Sequence, residues 1–466
     1  MPIMDIREFG AVGDGSQVNT IAIQSAIDAC FGDGGGTVLV SGGRYVSGTI
    51  VLKDNVLLQV ERGAALLGST NIADYAADTH KNMYRDEPHM DRCLIFARHA
   101  SNIGIQGGGV IDGRGGRENF PNPDDPAHYR PMLIRFLDCH HIRLRDITLR
   151  DPAAWTSAWL YCSDIVVDGV TIHSRANWNG DGLDFDGCRE VRVSNCAFDT
   201  SDDSICLQTS RPDMPCRDVV IANCIFCSQW AGMRIGLLSR SDIFNVTVTN
   251  CVFRDIQDSG LKIQLCEGGE MKNMVFSNLV MQNVPRPLFV TFCQQRACVD
   301  APPGVAPMKA MHDLIFNNIL VDNSQGDRHS AMILVGMPRH PIENVLLSDI
   351  QMVTGGGGTA EDAARALPDL DLEQLGGVWP EYTSFGRAVP CYGIYAAHLQ
   401  GLTIRSAHLR TREKDERPAI FCQDVAGLEL DGIRLGNRPM IGNSLRLVEC
   451  PDAAIRLDFP LNSRTI

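Results

Sequence analysis

The sequence is short of aromatic residues, of positive charge and of long hydrophobic runs. Aromatic residues make up only 6% of its 466 positions and glycine occurs 44 times, a balance that suits short strands and tight turns rather than helix bundles. The formal net charge of -14 argues against a nucleic acid or an anionic membrane as partner, because both carry phosphates. No segment approaches the ~20 apolar residues of a membrane span, and the N-terminus lacks the apolar core of a signal peptide, so we expect a soluble protein.

Cysteine, by contrast, is plentiful. The 17 cysteines are an odd number, and Cys196, Cys224 and Cys251 recur at one position of a repeat described below. Buried thiols stacked in a core explain this recurrence better than disulfides or a metal cluster do. We therefore predict a reducing compartment, the cytoplasm, and neither a metal ion nor another cofactor.

The N-terminal region, residues 1–70, combines one amphipathic helix with short strands. Asn19 or Thr20 is placed to cap a helix near Ile21 to Cys30. The apolar face of this helix carries Ile23, Ala26, Ile27 and Cys30. Three glycines at 34–36 end the helix, and strands divided by Gly and Asn follow. We expect the helix to close one end of a stack of strands and to hide its open edge.

From about Ser101 to Asn437 the chain falls into a repeat of two alternating apolar runs joined by an Asx or Ser turn. The central Asx residues, spaced by 22, 27, 28, 27, 28, 40 and 31 positions, are Asp146, Asp168, Asn195, Asn223, Asn250, Asn278, Asn318 and Asp349. One coil of strands cannot bury its apolar side chains alone, so successive coils must stack. The pattern predicts an all-β solenoid, a parallel β-helix that forms a single domain over residues 1–466.

Two interruptions of the repeat are candidates for the binding face. The 40-residue interval contains a proline-rich loop from Cys293 to Met311. A longer insertion at residues 354–391 contains a predicted short helix around Ala360 to Ala366 and then an aromatic-bearing loop, in which Tyr382 is a candidate substrate contact. Loops of this length on a solenoid usually build the binding surface.

Three aspartates lie within one repeat of each other. Asp181 stands in an Asn-Gly-Asp-Gly sequence, and the pair Asp202-Asp203 follows about one repeat later. Residues one period apart stack on the same wall of a solenoid, so the three carboxylates are expected to converge. Crowded carboxylates repel each other, and such a cost is more often kept for chemistry than for packing. The alternative is that each aspartate is an ordinary turn residue.

These residues, together with the segments FGAVGDG, AIQSAIDAC, WPEYTSFG and RPAIFCQDVAGLELDG, resemble the bacterial branch of glycoside hydrolase family 28, the polygalacturonase-like family. The resemblance covers nearly the whole chain. It implies a single-stranded, right-handed parallel β-helix with an N-terminal capping helix. The expectation agrees with the architecture that the repeat predicts separately.

The motifs of the family fall on this sequence with several departures. Its Asn-Thr-Asp motif corresponds to Asn179-Gly180-Asp181, and its Asp-Asp pair to Asp202-Asp203. Its Gly-His-Gly motif corresponds to Trp230-Ala231-Gly232, which has no histidine, and its Arg-Ile-Lys motif to Lys262-Ile263-Gln264. A lysine common in the family is replaced by Gln208.

Replacing cations by glutamine removes charge complementarity to a uronate, so we expect an altered subsite specificity. Arg234 and Lys262 could still serve one carboxylate, although Arg234 could instead face solvent. The candidate substrate-binding residues are Asn179, Gln208, Trp230, Arg234, Lys262, Gln264 and Tyr382.

The resemblance implies an inverting, exo-acting hydrolase of α-glycosidic bonds in pectin-type oligosaccharides, either galacturonan or rhamnogalacturonan. It assigns the proton donor to Asp202 and the activation of water to Asp181 and Asp203, without a metal. One alternative is a β-helix polysaccharide lyase, which needs a cationic base and commonly calcium. The other is a non-catalytic carbohydrate-binding solenoid, which has no reason to crowd three carboxylates.

Overall fold

The computed structural model describes residues 2–80, 83–84, 89–121, 129–292, 298, 300, 309–367, 369, 385, 388–436 and 444–457. The chain divides into two compact units. The N-terminal unit comprises Met1–Ser228 with Ala297–Ala301, and the C-terminal unit comprises Gln229–Arg296 with Pro302–Ile466. The single domain over residues 1–466 stays a prediction.

The N-terminal unit consists mainly of short strands. Its described residues also form two 3-10 turns, at Ile6–Phe9 and Ile72–Asp74, and one α-helix, α1, at Thr20–Gly32. The strands are β1 Ile3–Asp5, β2 Asp14–Val18, β3 Gly36–Val40, β4 Gly43–Ser47, β5 Ile50–Val51, β6 Val56–Val60, β7 Ala64–Gly68, β8 Cys93–Arg98, β9 Ser101–Gln106, β10 Val110–Asp112, β11 Met132–Leu137, β12 His140–Arg145, β13 Thr148–Arg150, β14 Ser157–Leu160, β15 Ser163–Asp168, β16 Thr171–Ser174, β17 Leu183–Asp186, β18 Arg189–Ser194, β19 Ala197–Thr200, β20 Ile205–Thr209, β21 Cys216–Ala222 and β22 Ile225–Ser228.

The described strands of this unit form three parallel sheets, and each full coil contributes one strand to each sheet. The first sheet runs β5-β8-β11-β14-β17-β20, the second β1-β3-β6-β9-β12-β15-β18-β21 and the third β2-β4-β7-β10-β13-β16-β19-β22. The arrangement confirms the predicted all-β parallel β-helix.

Side-chain alternation within each strand builds the core. In β15, Ile165 and Val167 are buried while Val166 between them is half-buried. Ile165 stacks in register on Ile142 of β12 and on Val191 of β18. Because each coil buries its apolar side only against the next coil, the repeated apolar positions form one continuous interior.

Left-handed Asx residues make the turns between the second and third sheets. Asp146, Asn195 and Asn223 have φ values of 48°, 56° and 58°, which favour Asn and Asp among non-glycine residues. The predicted alignment of Asp168 with these turn residues is wrong by one position, because Gly169, with φ 66°, occupies the left-handed site. Asp168 instead accepts a 2.8 Å hydrogen bond from the Asn195 side chain, so it still belongs to the ladder.

Helix α1 begins one residue before and ends two residues after the predicted span. It buries the four predicted residues Ile23, Ala26, Ile27 and Cys30. Asn19 is the N-cap, but its side-chain oxygen accepts a 2.7 Å bond from Val12 N instead of capping the helix. The helix packs on β1, β3, β5 and β6, which confirms that it covers the first coils.

The C-terminal unit has the same parallel strand arrangement with longer strands. Its elements are β23 Met233–Ser239, β24 Ile243–Ile256, β25 Ser259–Leu265, β26 Met271–Gln282, β27 Arg286–Phe292, β28 Met311–Asn323, β29 Met332–Val335, β30 Ile342–Thr354, α2 Ala360–Ala364, β31 Ile394–Arg405, β32 His408–Thr411, β33 Ile420–Leu435, β34 Leu445–Val448 and β35 Ala454–Leu457. One group pairs β23-β25-β27-β29-β31-β33-β34 and another pairs β24-β26-β28-β30-β31-β33-β35, all parallel.

The second predicted helix is present and short. Thr359 caps α2 through a capping box with Asp362, and the helix ends at Ala364 rather than Ala366. Among the described residues no helix is long and apolar enough to cross a membrane.

Candidate active site

The three predicted aspartates lie in two neighbouring turns of the N-terminal unit. Asp181 precedes β17, and Asp202-Asp203 precede β20. The two strands pair with Leu183 opposite Ile205, so the residues two positions earlier, Asp181 and Asp203, are also neighbours. A 3.0 Å bond from Gly182 N to Asp203 O fixes the two turns to each other.

Asp181 and Asp203 bring their carboxylates together around a thiol. Their side-chain oxygens and the Cys206 Sγ lie within 4.8 Å of one another. The Sγ is 3.9 Å from Asp181 Oδ2 and 3.7 Å from Asp203 Oδ2. Asp181 is 6% exposed and Asp203 2%, so the two carboxyl groups are close to each other and largely shielded from solvent.

Asp202 differs from this pair in its exposure and its contacts. It is half-buried, and its Oδ1 accepts a 2.9 Å bond from Asp203 N. Its main-chain oxygen accepts 2.6 Å bonds from the hydroxyls of Thr200 and Ser228. These hydroxyls fix the backbone at Asp202, and the residue as a whole is partly exposed.

Two serines hold the turn that carries Asp181, and one of them, Ser201, joins it to the turn that carries Asp202. Ser201 Oγ donates to Asn177 O at 2.7 Å and accepts from Gly180 N at 3.1 Å. Ser174 Oγ donates to Gly180 O at 2.6 Å. A Cβ atom at Gly180 would stand 2.0 Å from Ser174 O, so this close approach requires glycine where the family motif has threonine.

A buried arginine two coils earlier holds the Asp181 turn. Arg130 is 0% exposed, and it donates to Asn179 Oδ1 and to Trp178 O, both at 2.8 Å. It also donates to Ala153 O at 3.1 Å, and its Nη2 lies 3.2 Å from His89 Nε2. Arg130 and His89 were missed in the sequence, because they lie in non-periodic segments, two and three coils before Asp181.

Two further carboxylates follow Asp181 on the outer face of β17. Asp184 stands in register with Cys206, and Asp186 in register with Gln208. Both aspartates are 2% exposed. Burial raises the pKa of Asp186 to about 6, against the opposing effect of hydrogen bonds from Ser210. The alternation Leu-Asp-Phe-Asp in the sequence is the signal that could have located them.

Gln208, a predicted substrate contact, lies beneath an aromatic residue. It is 2% exposed, and the Tyr84 hydroxyl donates a hydrogen bond to its Oε1. Tyr84 packs edge-on against Trp155 at a centroid distance of 5.2 Å. A small cavity is lined by Met83, Tyr84, Arg135, Trp155, Ala158, Leu160, Asp186 and Gln208.

The remaining candidates belong to the C-terminal unit, and four of them form a cluster there. Arg234 of β23 and Lys262 of β25 stand opposite each other in register. Arg234 Nη2 donates to Gln264 Oε1 at 2.9 Å, and Lys262 Nζ lies 4.9 Å from the centre of the Trp230 ring. Arg234 is 5% exposed, so its alternative interpretation as a solvent-facing residue is wrong.

Sequence reasoning missed the acid in this cluster. Asp258 is 3% exposed, and its Oδ2 lies 3.0 Å from Lys262 Nζ. Burial of a lysine ammonium without an acidic partner would be costly, so Asp258 allows Lys262 to be fully buried. Tyr382 lies outside the described residues.

The chemistry available to the N-terminal unit is proton transfer by carboxyl groups. Two buried carboxylates and a third with partial solvent access provide a base and an acid in adjacent turns. Asp181, Asp203 and Cys206 also present three atoms that could hold a divalent ion, although the roles that the family resemblance implies for the two aspartates need none.

Such carboxylates at one wall of a parallel β-helix define a β-helical glycoside hydrolase. The model of glycosyl hydrolases family 28 matches residues 47–366, and the chain belongs to that family. The chain is 26% identical to the exo-poly-alpha-D-galacturonosidase of Dickeya chrysanthemi over 389 residues, which are 71% of this chain and 64% of that enzyme.

Solved structures support the right-handed form of the helix. The family 28 exopolygalacturonase of Yersinia enterocolitica superimposes with a TM-score of 0.69 at 21% identity, over 99% of this chain and 78% of that one. A hyperthermoactive exopolygalacturonase of Thermotoga maritima gives a TM-score of 0.67 at 20% identity, over 76% of this chain and 87% of that one. The fold is therefore the right-handed parallel β-helix that was predicted.

Proposed function

We propose that the protein hydrolyses α-glycosidic bonds in pectin-type oligosaccharides from the chain end, with inversion at the anomeric carbon. The observation that carries the proposal is the juxtaposition of Asp181 and Asp203, one coil apart, with Asp202 in the adjoining turn. In an inverting hydrolase one carboxylic acid protonates the leaving oxygen, while a carboxylate on the opposite side of the sugar activates water.

The different environments of the three aspartates support distinct roles. Asp181 and Asp203 share one buried location, where two carboxylates can orient and deprotonate a single water molecule. Asp202 is half-buried and lies outside the Asp181, Asp203 and Cys206 cluster, so it is the residue we assign as proton donor. Family membership supports the same assignment.

The proposed substrate is an oligosaccharide with uronate residues. The curated relative from Dickeya is named for galacturonan hydrolysis from the chain end. Arg234 and Lys262 are buried cations on the outer face of neighbouring strands, and a buried guanidinium suits a planar carboxylate better than a neutral sugar. Asn179 and Trp230 remain proposed contacts for sugar hydroxyls and for a sugar face.

The deciding experiment is hydrolysis of galacturonate and rhamnogalacturonan oligosaccharides followed by proton NMR. We expect monomers or dimers released from one end, and the β-anomer as the first product observed from an α-linked substrate. Initial formation of the α-anomer would contradict inversion. Growth of a 4,5-unsaturated product that absorbs in the ultraviolet would contradict hydrolysis and identify a lyase.

We further propose that the protein acts in a reducing compartment, such as the cytoplasm, on short oligosaccharides. A ladder of buried cysteines supports this, because Cys139, Cys162 and Cys188 stack within the first unit. Burial raises the pKa of the Cys162 and Cys188 thiols, and a hydrogen bond with Cys162, followed by burial, raises the pKa of the Cys139 thiol. Thiol titration of the protein, isolated from its natural source and then denatured, should find most cysteines reactive. A protein whose cysteines are mostly oxidised would contradict the proposal.

A further inference from the structure

Trp178 is an exposed tryptophan three residues before Asp181. It is 40% exposed, whereas Trp155 and Trp159 of the same unit are 6% and 0% exposed. A single exposed hydrophobic residue is common on a protein surface and carries no argument by itself. The position of Trp178 beside the carboxylate pair, and the way in which its backbone is held, are the features that distinguish it.

The backbone on both sides of Trp178 is fixed by buried polar groups. Its N–H donates to Asn177 Oδ1 at 2.9 Å, and its carbonyl accepts the 2.8 Å bond from Arg130. Asn177 is 1% exposed and Arg130 is 0% exposed. The indole is therefore presented to solvent from a rigid turn, rather than from a loop that could turn it inward.

A second turn of the same unit places a cation on the indole. The Arg117 guanidinium carbon lies 3.5 Å from the centre of the Trp178 ring. The turn that carries Arg117 is held to the base of the Asp181 turn, because Asn177 Nδ2 donates to Gly115 O and to Phe120 O, both at 2.9 Å. Arg117 itself is exposed, so its charge is available to a ligand.

We propose that Trp178 and Arg117 form a further sugar-binding subsite, which takes a uronate residue of the substrate next to the carboxylates. The aromatic face provides apolar area for the C–H face of a pyranose ring, and the guanidinium can pair with its carboxylate. The subsite adds a cation to a unit in which Gln208 replaces the lysine of the family. The inference rests on the proposed function, because it names the sugar that this hydrolase would hold.

The test compares kcat/KM over galacturonate oligosaccharides of increasing length, and over the same series with methyl-esterified carboxyl groups. In Trp178→Ala, the ratio of kcat/KM between the longest and the shortest cleaved substrate should fall about tenfold, mainly through KM. In Arg117→Gln, the same ratio should fall for the acidic series and stay constant for the esterified series. Trp178→Phe should recover part of the ratio, because it keeps an aromatic face.

Phe31→Ala is the matched control. Phe31 lies on helix α1 and is 43% exposed, and Lys53 Nζ is 5.4 Å from the centre of its ring. The two residues therefore form a similar pair of an aromatic ring and a cation. This variant should leave the length dependence unchanged. Equal losses at every substrate length in Trp178→Ala would overturn the subsite, because a merely structural role in the turn would produce them.

A binding measurement separates failure of the subsite from failure of the proposed function. If the wild-type protein cleaves none of the oligosaccharides, the proposed function is wrong. Calorimetric titration of galacturonate hexamer into wild type and Trp178→Ala then judges the subsite alone. A weaker affinity of about tenfold in the variant supports it, and equal affinities or absent binding by wild type overturn it.

Discussion

Arg130 of one turn donates a 2.8 Å hydrogen bond to the Asn179 side chain two coils further on, two residues before Asp181. The same guanidinium donates to the Trp178 carbonyl, so one buried side chain holds the residues two and three positions before Asp181, the proposed catalytic aspartate. A planar fork with several donors can reach both acceptors, and a lysine ammonium cannot do so in the same geometry. The position of Asp181 therefore depends on a residue that is distant in sequence.

Arg130→Lys should lower kcat by roughly 10–100-fold, because a small displacement of a catalytic group costs this much. KM should change less, and the pH profile should shift if Asp181 moves relative to Asp203. Arg135→Lys is the control, since Arg135 is equally buried but donates to the carbonyls of His80 and Met90. Equal losses of turnover per folded molecule in both variants would contradict the positioning role.

Asp202→Asn should lower kcat on natural substrates by roughly 10²–10⁴-fold, because it removes the proton that the leaving oxygen needs. The dinitrophenolate of a dinitrophenyl glycoside departs without protonation. With such a substrate of the accepted sugar, Asp202→Asn should therefore recover much of the lost activity. Asp181→Asn and Asp203→Asn should recover nothing, because water must be activated whatever leaves. If Asp202→Asn lowered kcat equally on both kinds of substrate, the proton donor to the leaving oxygen would be another group.

Arg234→Gln should raise KM for uronate substrates about tenfold or more, because it removes a charge-assisted hydrogen bond to a carboxylate. Esterified substrates should lose less. Arg254→Gln is a suitable control, as Arg254 lies in the same unit with 53% side-chain exposure. A KM for acidic substrates that is unchanged in Arg234→Gln would exclude Arg234 from carboxylate binding.

Asp186 should make the folded state more stable at mildly acidic pH than at neutral pH. Its pKa of about 6 exceeds the ordinary value of 3.8. Between these two values the native protein holds a proton that the unfolded chain has released, so stability falls as pH rises, by up to about 3 kcal/mol. Asp186→Asn keeps an acceptor for Ser210 N and should abolish this fall in denaturant titrations between pH 4 and 7. A pH dependence identical to that of wild type would show that Asp186 does not cause the fall.

Asp415→Ala should destabilise the protein by about 3–5 kcal/mol, because it leaves the Arg417 guanidinium buried without its carboxylate. The two side chains are each 1% exposed and are joined at 2.7 Å. Neighbouring Lys414 is 79% exposed at its side chain, so Lys414→Ala should change stability by less than about 1 kcal/mol. Denaturant midpoints of both variants measure the difference, and similar midpoints would contradict it.

The sequence by itself determined the coil and the alignment of its walls. Apolar alternation and left-handed Asx residues recur with the period of the coil, so the stacking of Asp181 beside Asp203 follows from their spacing. The helical period located the core face of α1, and the period of the coil located most of the Asx ladder. It misplaced one member at Asp168, because glycine reaches the left-handed region without an Asx signature.

Only the tertiary structure decided which other side chains meet these aspartates. Arg130 reaches Asn179 across non-periodic turns, and Cys206 faces the carboxylate pair because β20 turns that side outward. Asp258 was recognisable as the partner of Lys262 only once Lys262 was seen to be buried. A repeat fixes positions along the stack through its period. The contacts of turns that cross between coils depend on packing, and no period in the sequence encodes them.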